Sequence, residues 1–209
     1  MANTNTPNGF QQYIGTGATP TFEAVVMSIA STDTNAIFSG DPVVQLSTGY
    51  VTLATSQSTT ISGIFMGCRY LSISQKKVVW MPYWPGTADA VGDVTAYIIN
   101  DPHAQFIVQT ANSNTTATAV GLSAIGQNIG FANAGATGGN TSSGLSGAYA
   151  DQYTLATTST LPFRVMALAN YSPGSISPLI SINGNDQTTA YNRLIVTFNN
   201  AMLNQLTGI

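Results

Sequence analysis

The chain has 209 residues and a net charge of −3, with 44% hydrophobic but only 6% charged residues. Ordinary soluble proteins carry roughly 25% charged residues, so Thr, Asn, Ser and Gln must form most of this surface. Five scattered cations, Arg69, Lys76, Lys77, Arg164 and Arg193, exclude the clustered positive charge that direct nucleic-acid binding needs, and no apolar run approaches a membrane span.

A chain of this length buries a sizeable core without metal or disulfide staples. A neutral polar surface is desolvated at modest cost when its hydroxyls and amides find partners, whereas buried ion pairs are expensive. The composition therefore suits extensive protein–protein contact; a monomer with a neutral polar coat is the other reading. Cys68 stands alone inside an apolar run, which reads as a buried, inert thiol. The start lacks the basic and apolar regions of a secretory signal. Together these suggest folding in a reducing cytoplasm.

In chain order, residues 1–20 are rich in Asn, Thr and Gly, with Phe10, Tyr13 and Ile14 as the large apolar side chains. They are expected to form an arm, disordered when free or ordered on a partner. From residue 21 a single β-rich domain is expected to run to residue 209. Short runs rich in Val, Ile, Thr, Tyr and Phe predict strands at 22–29, 43–46, 50–53, 61–73, 76–81, 94–100, 105–110, 161–169, 179–182 and 193–199. Gly, Pro, Asn and Asp punctuate them. Gly40-Asp41 and Gly92-Asp93 each precede a strand, where the Asp can cap backbone donors. Residues 111–150, centred on a Gly/Ser/Asn-rich stretch, read as a long loop, either a contact loop or a flexible insertion. Residues 200–206 predict about two helical turns. The predicted fold is all-β, a sandwich or barrel-like domain.

Catalytic constellations are not evident. His103 is the one histidine and lies beside Pro102, without a Gly-x-Ser-x-Gly elbow elsewhere. It reads as a turn or surface residue. One His, one Cys and eight scattered acids define no metal site, and 183–186 reads as a turn rather than a calcium loop. Asp89, Asp93 and Asp101 lie close in sequence, but carboxylates alone do not define a glycosidase pair. The sequons at Asn114, Asn140 and Asn170 are expected by chance in so Asn- and Thr-rich a chain. The expectation is a non-enzymatic protein with no cofactor. The aromatic cluster Trp80, Tyr83 and Trp84 reads as a core corner or subunit interface, with a sugar platform as the alternative.

Several blocks together resemble a known group. They are the opening 1–10 with Pro7-Asn8-Gly9-Phe10, Phe38-x-Gly-Asp-Pro-Val43, Gly63-Ile-Phe-Met-Gly-Cys68, Pro82-Tyr-Trp-Pro-Gly86, Ala96-Tyr-Ile-Ile-Asn-Asp-Pro102, Gln105-Phe-Ile-Val-Gln109 and Val196-Thr-Phe-Asn199. Their order across most of the chain is similar to the small head proteins of tailed bacteriophages, the capsid cement or decoration proteins. Asn8 stands where those proteins more often carry Phe. The resemblance implies a β-rich homotrimer on the capsid exterior, assembled in the host cytoplasm and bound to the major capsid protein. Contacts with the capsid or between subunits are expected at Pro7, Phe10, Tyr13, Ile14, Tyr83 and Trp84. Removing residues 1–20 is then expected to weaken attachment while leaving the domain folded. A carbohydrate-binding module and a tail or fibre component are the alternatives.

Overall fold

The computed structural model describes residues 2–14, 24–86, 89–133, 138–169 and 186–205. These residues are all-β, with no α-helix among them. In chain order the strands are β1 Gln11–Ile14, β2 Val25–Ile29, β3 Ile37–Phe38, β4 Pro42–Gln45, β5 Val51–Leu53, β6 Gly63–Ser72, β7 Lys77–Met81, β8 Tyr83–Trp84, β9 Val94–Ile99, β10 Gln105–Ala111, β11 Asn128–Asn133, β12 Gly139–Asn140, β13 Leu145–Ser146, β14 Ala148–Ala156, β15 Phe163–Leu168 and β16 Arg193–Phe198.

Five of them close into a barrel in the order β10-β14-β11-β15-β16, with β16 returning to β10. The β10–β14 pair is parallel and the others are antiparallel. A barrel this narrow is filled by its own side chains. Alternate residues point inward along each strand: Phe106 and Val108, Ile129 and Phe131, Ala148 and Ala150, Phe163 and Val165, and Leu194, Val196 and Phe198 are all buried. Ala150 of β14 faces the bulky Phe131 across the register Phe131↔Ala150, which lets a small cross-section close without overpacking.

The second layer is a sheet in the order β2-β9-β6-β4-β5, with β7 also paired to β6. Its inner face, with Ile29, Phe65, Cys68, Tyr70, Ala96 and Ile98, forms a second core around Trp84. The opposite face is shared. Ile64 and Ile99 lie in the barrel core, and the rest of that face extends past the barrel.

The N-terminal segment is part of this fold. Phe10 is 1% exposed; its ring stacks on Phe163 at 4.4 Å and meets Phe131 edge-on at 6.3 Å. Its N–H donates to Gly40 O, and Gly9 N–H donates to Ala148 O. Asn3 exchanges hydrogen bonds with Asp186, and Gln109 holds the backbone of Thr4 and Thr6. β1 then adds antiparallel to β10. The expectation of an arm without a place on its own domain is thus corrected for residues 2–14. Its turn-rich composition conceals one deep anchor and side-chain amides that satisfy the backbone.

The expected loop at 111–150 is also corrected. Residues 112–127 form a connection with one 3-10 turn at Leu122–Ala124, but β11, β12, β13 and the start of β14 follow within the same stretch. Its glycines serve close packing: an added Cβ at Gly139 would strike the Phe38 ring, and one at Gly144 would strike Pro82. The β12–β13 hairpin thereby clasps the second layer, with Ser39 N–H donating to Gly144 O and Ser146 N–H to Ser39 O. At the C-terminal end, the expected two helical turns reduce to one 3-10 turn, Met202–Asn204, without a side-chain cap. The predicted strand at 179–182 and the sequon at Asn170 lie outside the described residues.

Candidate interaction surface

The outward face of the second sheet has a simple register. Val26 lies opposite Tyr97, and Tyr97 opposite Gly67. The next row runs Ser28, Thr95, Arg69, Trp80, and the following pair is Leu71 and Val78. Period-two alternation sends all of these to one side. Val26, Val78 and Trp80 are each 60% exposed and Leu71 is 40% exposed. Ile73 and Val91 extend the exposed apolar character beyond the β6–β7 pair, where Val91 N–H donates to Leu71 O. Arg69 supplies the charge within the paired rows.

Gly67 sets the pose of Trp80. A Cβ at that position would come within 2.9 Å of the indole and 3.0 Å of Met81 O, so a glycine lets the indole lie against the sheet. A β-bulge falls between Phe65 and Gly67 and turns this part of β6. Where the barrel meets the sheet, Gln12, Ala24, Met66, Trp80, Tyr97 and Ile99 line a cleft of about 300 Å³. Its wall is almost wholly apolar, which suits an apolar side chain better than a polar ligand.

The residues expected to make contacts do not form one patch. Phe10 is in the barrel core and Trp84 in the second core, where its indole N–H donates to Asp33 O and its ring meets Tyr70 edge-on. Neither is accessible, which removes both as contact residues in this fold. Tyr83 is half-buried and stacks on Phe38 at 5.2 Å. Pro7 is half-buried at a polar cleft beside β12 and β13. Tyr13 is exposed. Ile14 pairs with Gln105 through its backbone; its side chain lies outside the description. The fold divides the aromatic cluster: Trp84 takes the core-corner place expected for it, whereas Trp80 is 60% exposed. β7 is apolar in both phases, with Val79 and Met81 inward and Val78 and Trp80 outward, so alternation carried no signal there.

The chemically suggestive groups are engaged in turns. Asp89 accepts from Ser72 and Ser74, which holds its carboxyl below the usual range. Asp93 accepts the Tyr50 hydroxyl, and Asp101 accepts the backbone N–H of the exposed His103. Burial pushes the Cys68 thiol up to about 12, so little reactive thiolate forms near neutral pH. Among the described residues no group of three or more His, Cys, Asp or Glu side chains could hold a metal ion, and no helix is long and apolar enough to cross a membrane. Compared with protein-family models, curated proteins and solved structures, the chain matches none of them.

Proposed function

We propose that this is a non-enzymatic virion structural protein, a cement or decoration protein that binds the outside of a bacteriophage head and bridges its major capsid subunits. The observation that carries the reading is the exposed apolar face of Val26, Leu71, Val78 and Trp80 on a chain with very little charge. Apolar area removed from water contributes about 25 cal/mol per Å², and few charges need desolvation there. The resemblance of the ordered sequence blocks to those of phage head proteins supports the same reading. A ligand that binds only the assembled shell stabilises it by mass action, which is the work of a cement.

The protein self-associates in this reading, with a trimer as the expected state, and assembles in the host cytoplasm. Neither nucleic acid nor membrane is a partner. The exposed Trp80 also fits a sugar platform, but the wall of its cleft is almost wholly apolar, with too few hydrogen-bonding groups to orient a saccharide. The test is the thermal rupture temperature of heads with and without the protein. Addition is expected to raise it, and His103→Ala to act like the wild type. An unchanged rupture temperature at saturating protein contradicts the cement role.

A further inference from the structure

The Trp80 face carries charge as well as apolar surface. The β6–β7 hairpin, residues 63–81, holds Arg69, Lys76 and Lys77 and no acid, although the whole chain has a net charge of −3. All three cations are exposed, and among the described residues none of them makes a salt bridge. Asp89 reaches the turn end of the hairpin, where it accepts from Ser72 and Ser74. The register sets these groups in series along the strands. The apolar cleft opens level with Gly67 and Tyr97. Arg69 and Trp80 form the next outward row and Leu71 and Val78 the one after; Lys76 and Lys77 close the series at the turn beyond Ser72. Rows two residues apart are separated by roughly 7 Å, so the series from cleft to lysines spans about 20 Å.

We propose that this face binds an extended acidic segment of a partner protein, in which an apolar anchor, an acid, a second apolar residue and a second acid occupy every other position. An extended chain rises at the same rate as the strands beneath it and turns alternate side chains to one side, so such a segment meets the four rows in turn. A cleft of about 300 Å³ with an almost wholly apolar wall takes one side chain of leucine or methionine size. Exposed ion pairs contribute little by themselves. The anchor therefore supplies most of the affinity, while the carboxylates fix the register and exclude basic segments. A second copy of this chain does not supply the segment. Asp89 and Asp93 are its one pair of acids four residues apart, with Val91 between them, and the anchor positions on either side hold Thr87 and Thr95. Such binding presupposes that the Trp80 face is the docking face of the cement reading.

The test is a ligand-observed NMR titration of the full chain with two synthetic peptides. They are Leu-Ser-Glu-Ser-Val-Ser-Glu and Glu-Ser-Val-Ser-Glu-Ser-Leu, since the rows accept either chain direction. At least one is expected to bind with a Kd on the order of 1 mM or below. Replacing its glutamates by lysines is expected to weaken binding about tenfold, as is Trp80→Ala, and Arg69→Gln about threefold. Raising NaCl to about 0.5 M weakens the acidic peptide further. Both substituted side chains are exposed, so the melting temperatures stay at the wild-type value. Equal binding of the glutamate and lysine peptides, or undiminished binding in Trp80→Ala, overturns the proposal. So does absence of binding by both acidic peptides up to about 10 mM; if Trp80→Ala then breaks up self-associated wild type, the cleft belongs to a second copy. Pelleting with phage heads is scored separately. Wild type that pellets while neither peptide binds removes the acidic segment and keeps the docking face. Peptide binding without pelleting keeps the segment and removes the cement role.

Discussion

Asp41 ties the layers together at a single carboxylate. Its Oδ2 accepts the Phe38 N–H at 2.7 Å and its Oδ1 accepts the Ser146 hydroxyl at 2.5 Å. The Gly-Asp turn read from sequence does cap a backbone donor here, and Gly40 takes the left-handed φ of +95° that the turn requires. At the similar Gly92-Asp93 the carboxylate accepts the Tyr50 hydroxyl instead. Burial raises the Asp41 carboxyl from 3.8 to about 6 against the opposing hydrogen bonds. Because the folded state holds the proton more tightly than the unfolded chain, this group's contribution to stability is full below about pH 4. It is lost as pH rises through about 6, on the order of 3 kcal/mol in all. Asp89 and Asp186, with lowered values, act in the opposite direction and are common to wild type and variant. Denaturant unfolding of wild type and Asp41→Asn between pH 4 and 7 isolates the effect. The wild type should gain on the variant as pH falls; a constant difference between the two would show that Asp41 does not titrate in this window. Phe10→Ala should cost about 3–5 kcal/mol, because it leaves a ring-sized cavity against Phe131 and Phe163, measured by the same unfolding curves.

Elements with strong β-branched content were legible from sequence. β6, β7, β9, β10, β15 and β16 lie within or nearly coincide with predicted runs, because Val, Ile and Phe at alternate positions mark a pleated surface with a buried face. β11 and β14 were not legible. Asn-Ile-Gly-Phe-Ala-Asn and the Ala-rich start of β14 look like loop composition, yet small residues are what a five-stranded barrel needs opposite Phe131. Gly130 shows the constraint: an added Cβ would sit 3.0 Å from Thr154 Oγ1, while its N–H donates to that same oxygen at 2.7 Å. The N-terminal segment was misread for a related reason. Apolar periodicity registers repeated anchors, and this segment has one deep anchor, held by amide side chains. Deleting residues 1–10 is therefore expected to lower the melting midpoint by about 10 °C or more, taking roughly 2–4 °C per kcal/mol for a chain of this size. An unchanged midpoint in a calorimetric scan would restore the independent arm.

Over the whole molecule, polar neutrality and apolar exposure work together. One buried network is built from neutral groups: Asn192 accepts from Thr110 and Val120 and donates to Val120 and Gln187, satisfied without the desolvation cost of charge. With few like charges to repel a partner, the Val26–Trp80 face is free to associate. Light scattering should show a trimer, and a monomer at high micromolar concentration would count against stable self-association. The central claim is that this face seats on a phage shell. It is tested most directly by co-sedimentation of wild type, Trp80→Asp and Val78→Asp with heads stripped of decoration. Both substitutions place a carboxylate at a 60% exposed position, so melting curves should barely change. The wild type should pellet with the heads and both variants should remain in the supernatant. Pelleting of the folded variants to the same extent as the wild type, or failure of the wild type to pellet at all, would contradict the account.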